Sequence, residues 1–193
     1  MTPDIDAWEP WEPRRVAERL AGVGVPWYVA GGWAVDLHLG GALRHHEDLE
    51  IAVPAAHFDP IAARFPDLTF YVAGDGEVVP LDPAALARHH QTWAYDQPAG
   101  RWRFDVFREP HDGDVWISRR HERLRRPYAD LIRHDRTGIP YLAPEVALLF
   151  KAKHRRAKDE ADYLAAVPAL TARERQWLDD ALELVHPGHP WHS

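Results

Sequence analysis

Apolar and polar positions along this chain change period several times, and each change predicts an element. Pro13 stands where a helix can start, and Val16, Leu20 and Val23 carry its apolar face until Gly22 and Gly24 stop it. Trp27 to Ala30 is a short apolar run, read as a strand, that leads into Gly31-Gly32 and a second helix with Trp33, Leu37 and Leu39 near helical spacing. From Asp48 to Val53 the period is two, so Leu49, Ile51 and Val53 face a core while Asp48 and Glu50 share the opposite face. Pro54 ends that strand, and Ala55 to Phe65 reads as a helix covering the sheet with Phe58, Ile61, Ala62 and Phe65. Leu68 to Ala73 and Glu77 to Leu81 are β-prone runs around Gly74-Asp75-Gly76, a hairpin signal, whereas Leu81 to His90 fits neither period. In Arg101 to Phe107, Trp102, Phe104 and Val106 alternate toward one face and leave Arg103, Asp105 and Phe107 on the other. After Pro144, the positions of Val146, Leu149 and Phe150 predict an amphipathic helix, with Lys151 and Lys158 two turns apart on one face if it continues. Thr171 and Glu174 form a capping box ahead of Trp177, Leu178, Ala181, Leu182 and Val185, a final packing helix.

These elements give an α/β class: a mixed sheet flanked by helices over residues 13–140, then a helical C-terminal lobe over 141–193, behind a Pro-rich leader at 1–12. A chain of 193 residues can bury one good core or a small core with a helical appendage, and two modest lobes fit best. Trp8 and Trp11 in the leader are expected to pack back onto the body. A net charge of -7 argues against binding nucleic acid and suits a cationic substrate. The basic cluster Arg119, Arg120, His121, Arg123, Arg125 and Arg126 lacks the interleaved aromatics of a base-stacking groove and reads as a charged surface segment. Glu109 and Asp112 to Asp114 read as surface acids. The absence of cysteine excludes disulfides and cysteine-bound zinc and agrees with a reducing compartment. The leader has no basic region followed by an apolar run, and no stretch is long enough to span a bilayer, so a cytoplasmic protein away from membranes is expected. The tail with His186, His189 and His192 reads as solvated, with no zinc assigned.

The candidate chemistry lies between Tyr28 and Val53. Two glycines at a strand-to-helix turn allow a ligand close to the backbone, and the unpaired amides at a helix start favour an anion. Asp48 and Glu50 on one face repel each other unless a cation relieves them, and such oxygen ligands suit Mg²⁺. A phosphate cradle beside a divalent-metal clamp implies phosphoryl-group chemistry. The loop from Gly40 to Glu47 brings Arg44 and His46 toward the entrance, where Arg44 can neutralise a phosphate and His46 can bond a phosphate or steady the carboxylates.

Gly31-Gly32-Trp33-Ala34-Val35-Asp36, then Leu39-Gly40, Arg44, His46, Asp48 and Glu50, resemble the signature of the nucleotidyltransferase superfamily with the DNA polymerase β type of fold. The closer likeness is to the aminoglycoside 2''- and lincosamide nucleotidyltransferase branch, whose motif reads roughly GGWALDxxLGRxxRxHxDxD. One departure stands out: Glu50 takes the place of the second Asp, and its extra methylene bears on metal geometry. A second match, YLAPEVALLFKAKHRRAKDEADYLAA, resembles the C-terminal signature of the same branch. The resemblance implies two Mg²⁺ ions held by Asp48, Glu50 and Asp105. Asp105 in addition takes the proton in some members; a bridge to a neighbouring arginine is its structural alternative. It further implies a nucleotide site of Gly31, Gly32, Arg44, His46 and Lys151, with Lys158, Asp159 and Asp162 fixing the helices. The implied reaction moves a nucleoside monophosphate, AMP from ATP, to a hydroxyl of a small, aminoglycoside- or lincosamide-like acceptor. Two alternatives carry the same residues: a nucleotide-binding antidote of a toxin pair, and an enzyme that adenylylates a protein side chain.

Overall fold

The helix begun at Pro13 is α1 (Pro13–Leu20), which buries Val16 and Leu20. The computed structural model describes residues 3–192. β1 (Tyr28–Val29) feeds α2 (Gly31–Leu39), and β2 (Glu50–Pro54) leads through a single 3₁₀ turn to α3 (Phe58–Ala62). On α2 the buried residues are Ala34, Val35 and Asp36, while Trp33, Leu37 and Leu39 are only half-buried, because a nine-residue helix at the sheet's end is covered on more than one side.

β3 (Thr69–Gly74) and β4 (Glu77–Pro80) form the expected hairpin, with Asp75 (φ 52) and Gly76 (φ 79) both left-handed, as a two-residue hairpin turn requires. The unassigned stretch after it contains α4 (Pro83–Arg88), which Asp82 caps by accepting from the amides of Ala84 and Ala85 at 2.8 and 2.9 Å. β5 (Gln91–Asp96) and β6 (Arg101–Glu109) follow, then β7 (His111–Asp112), β8 (Val115–Ile117) and β9 (Arg125–Pro127). α5 (Tyr128–Leu131), β10 (Ile132–His134) and β11 (Pro140–Leu142) lead to α6 (Pro144–Ala152), α7 (Ala157–Ala166) and α8 (Ala172–Val185), the last with the capping box in place.

Eight strands form one mixed sheet in the order β10-β11-β1-β2-β6-β5-β3-β4, and β7-β8-β9 form a small second one. β2 and β6 run parallel at its centre, burying Ile51, Val53, Phe104 and Val106. α6 packs against α2 and α8. It is buried along nearly its whole circumference, Phe150 being its one half-buried residue, so it is a core helix rather than an amphipathic one. It also ends before Lys158: Arg155 turns left-handed (φ 48) and α7 starts afresh, which separates Lys158 from the face of Lys151.

Both chain ends pack onto this body. Trp11 lies 5.8 Å from the Phe104 ring, and Trp8 bridges to Trp102. The tail is not solvated as expected: Trp191 is buried, stacks on Tyr163 at 4.2 Å and donates Nε1 to Glu160 at 2.8 Å, while His189 meets the Ala152 carbonyl at 3.0 Å. A large aromatic near a chain end gains more from apolar burial than the prolines beside it forgo. Among the described residues no helix is long and apolar enough to cross a membrane.

Candidate active site

Glu50 opens β2 and Asp105 lies beside it on β6 as its Cα partner, with the Asp105 amide donating to the Leu49 carbonyl at 2.8 Å. Partners across neighbouring strands place their side chains on one face of the sheet. Asp48 sits two residues ahead of Glu50, exposed and just outside the strand. The three carboxylates line a single open cleft, together with Gln91. Burial pushes the Glu50 carboxyl up to about 7, helped by Asp48 and opposed by Lys151, Arg156 and Lys158. Asp105 is likewise raised, by burial and then by Glu50, while Gln91 draws it the other way. Gln91 donates Nε2 to Asp105 Oδ2 at 2.6 Å, whereas the buried Oδ1 makes no hydrogen bond. No arginine bridges Asp105 among the described residues, so the structural alternative for this acid is not what the fold uses.

A buried, unpartnered carboxylate oxygen beside two further acids suits a hard divalent cation. The acids share a cleft rather than a finished shell: among the described residues no three such side chains converge tightly enough to enclose an ion.

The glycine pair serves the chain before it serves a ligand. Gly31 is left-handed (φ +60), and a Cβ there would overlap Glu50 Oε2 and stand 2.8 Å from its Cδ. A Cβ on Gly32 would overlap Arg44 Nη2 and stand 2.6 Å from His46 Cε1. The space expected for a ligand at these two α-carbons is therefore filled by side chains of the site itself. Arg44 donates Nε and Nη2 to the two carboxylate oxygens of Asp162 at 3.2 and 3.1 Å, and His46 Nε2 meets Asp36 Oδ2 at 2.7 Å while its ring stacks on Trp33. Both residues fasten the loop after α2, each to a buried acid on a helix. Lys151 is buried between Asp162 at 2.7 Å and Asp159 at 3.6 Å, and Asp159 also caps α7 by accepting from the Arg156 amide at 3.0 Å. Asp159 and Asp162 thus fix the helices as the resemblance implies; Lys158 pairs with Glu47 at 3.6 Å.

Glu50 also borders a second cavity of about 590 Å³, on the side of Gly31 and Lys151. Its far wall corrects the reading of the basic cluster as plain surface: Arg119 and Arg120 point into it, each with a buried Nε that makes no hydrogen bond. Burial and then Arg120 lower the Arg119 guanidinium to about 10. Arg119 Nη2 donates to Glu109 at 3.1 Å, and Glu109 is itself buried, not a surface acid, with its carboxyl pushed up to about 8 by desolvation. The sequence holds a signal for the arginines: Val115-Trp116-Ile117 is apolar enough to be a strand, so Arg119 and Arg120, just past Ser118, start at a sheet end. Gln91 was also missed, although Thr92 and Ala94 alternate with Gln91, Trp93 and Tyr95 along β5.

The family described as aminoglycoside-2''-adenylyltransferase matches residues 14–90. Among solved structures, the antibiotic-resistance factor ANT(2'')-Ia is similar at TM-score 0.59 and 14% identity, covering 89% of this chain and 89% of that one. The same protein in complex with adenylyl-2''-tobramycin is similar at TM-score 0.59 and 14% identity, over 89% of this chain and 94% of that one. The lincosamide antibiotic adenylyltransferase LnuA with lincomycin bound is similar at TM-score 0.57 and 16% identity, over 81% and 95%. The family match covers the first lobe only, and the solved structures share the fold of this chain. No curated protein sequence matches it. The glycine pair, the fastened loop and the Asp48–Glu50 pair fall inside the matched residues, while Asp105, Lys151 and the arginine wall fall outside and rest on the geometry above.

Proposed function

We propose that this chain is a nucleotidyltransferase that moves AMP from ATP to a hydroxyl of a small molecule in the cytoplasm, with divalent-metal dependence and release of pyrophosphate. The observation that carries the reading is the polarity of one continuous site. Glu50 stands at the junction of a cleft lined by acids and a cavity walled by Arg119, Arg120, Lys151 and Arg156. The cationic wall binds the triphosphate, with the unpaired Nε–H groups of Arg119 and Arg120 as ready donors. Phe107 and Phe150, which Arg119 overlies at 5.1 and 6.0 Å, offer the apolar surface a nucleoside needs. Asp48, Glu50 and Asp105 would hold the cation, which supplies charge neutralisation at the α-phosphate when bound. The acceptor oxygen bonds to the α-phosphorus, the bond to the bridging oxygen of the β-phosphate breaks, and Asp105 takes the hydroxyl proton. Positioning and electrostatics supply most of the rate in such a transfer.

The test is thermal denaturation with ATP and Mg²⁺ against ATP and a chelator. Ligand at a hundredfold excess over its dissociation constant stabilises the folded chain by about 2.7 kcal/mol. The full shift is expected only with the metal; equal shifts in both conditions refute the clamp.

A further inference from the structure

The leader lies ahead of the residues that the family matches, yet it builds one side of the acidic cleft. β2 accompanies β6 only from Asp105 onward. Below that point β6 would present bare backbone, and the leader takes its place: Trp102 N donates to the Ala7 carbonyl at 2.9 Å, Glu9 N to the Trp102 carbonyl at 3.1 Å, and Trp11 N to the Arg103 carbonyl at 3.0 Å. Side chains reinforce the splice. Trp102 Nε1 donates to the Asp4 carbonyl at 2.7 Å, and Arg103 Nη1 reaches the Glu9 carbonyl at 3.0 Å and its carboxylate at 2.7 Å. The leader thus stands in line with the strand that carries Glu50, held by residues about ninety positions away.

Its cleft-facing residues are chemically uneven. Ile5, Trp8 and Pro10 form an apolar side, with Trp8 edge-on to Trp93 at 5.0 Å. Asp6 is exposed beside them, and Glu47 and Asp48 face the same cleft. Asp105 lies at its base, buried, with Oδ1 unpartnered. The cavity on this side is about 640 Å³, room for a molecule of a few rings. We infer that the leader is a wall of the acceptor site, with Trp8 and Asp6 selecting a hydroxyl-bearing acceptor that combines ammonium groups with an apolar ring face. The inference rests on the transferase reading above. An indole beside carboxylates favours such a ligand twice over, through contact with the ring face and through attraction of the cation.

Tobramycin, a polyamino sugar, is the probe, titrated calorimetrically into the full chain in the presence of Mg²⁺ and a non-hydrolysable ATP analogue. The wild type is expected to bind it, and Asp6→Lys to raise its dissociation constant about fivefold, as reversal of one exposed charge near a cation does. Trp8→Ala is expected to weaken it by more, about tenfold, through lost ring contact. Binding of the ATP analogue should stay within about twofold in both variants, since neither residue borders the nucleotide cavity. Among the described residues Asp6 makes no side-chain hydrogen bond or ion pair, so Asp6→Lys decides the matter even if Trp8→Ala does not fold. Unchanged tobramycin affinity in Asp6→Lys, or no tobramycin binding by a wild type that binds the ATP analogue, overturns the inference. Failure of the wild type to bind the ATP analogue instead overturns the transferase reading.

Discussion

Gly31→Ala attacks the place where the fold and the acids meet. The new residue must hold φ near +60, which costs an L-amino acid about 1–2 kcal/mol. Its Cβ also overlaps Glu50 Oε2, so the carboxylate has to swing away. Displacing a packed side chain from its rotamer adds about 1–2 kcal/mol more. The total is about 3 kcal/mol, a fall in melting temperature of about 6–12 °C for a chain of this size. The two parts can be separated by a double-mutant cycle. In a Glu50→Ala background the clash has no partner, and Gly31→Ala should cost only the backbone share, leaving a coupling of about 1–2 kcal/mol. Urea denaturation of the four proteins in chelator measures it. An equal cost in both backgrounds would show that Gly31 is not glycine for the sake of Glu50. A variant as stable as wild type would refute the left-handed turn itself.

Asp48→Asn should abolish transfer without lowering stability in chelator, because Asp48 is exposed, makes no hydrogen bond among the described residues, and helps raise the Glu50 carboxyl. A lower melting temperature in chelator, with transfer retained, would make Asp48 a structural acid. Glu109 gives a pH signature: its folded carboxyl near 8 lies above the ordinary 4.5, so the folded state keeps the proton longer and stability falls as pH rises between those values. Glu50 contributes in the same direction only up to about 7. Asp105, also raised by burial, acts in both proteins, so melting in chelator should decline from pH 7 to 8 less steeply in Glu109→Gln than in the wild type; an unchanged slope in the variant would discount the burial of Glu109.

The elements legible in the sequence were those set by local rules. The hairpin at Asp75-Gly76, the capping box at Thr171 and the period-two run into Val53 state their structure in a few neighbouring residues. α4 has its signal in Asp82-Pro83, a cap followed by the residue best suited to the first turn, but no apolar period to go with it. The errors at α6 and at the tail share a cause. Whether Lys151 or Trp191 faces water depends on how a later turn folds α7 back: Lys151 meets Asp162 on that helix, and Trp191 meets Glu160 on it. The proposed acids were readable from the period-two run at Asp48 and Glu50 and, for Asp105, from an acid set in an aromatic strand that resembles the family pattern. What surrounds them was not, since the burial of Arg119 and Glu109 and the engagement of Arg44 are consequences of which distant segment arrives next to them.

Arg44 and Asp162 are 118 residues apart, and their bond has a temporal meaning as well as a spatial one. A chain emerging from the ribosome has made the glycine turn, the loop and Asp48 long before the residue that moors that loop exists. Closing so long a span costs little more than closing a shorter one, because the penalty grows only with the logarithm of length. The burden is one of order rather than of energy: the first strands can pair early, but the entrance stays unmoored until α7 docks. Ordering of this entrance should then appear together with docking of the last helices, well after the sheet that carries the acids.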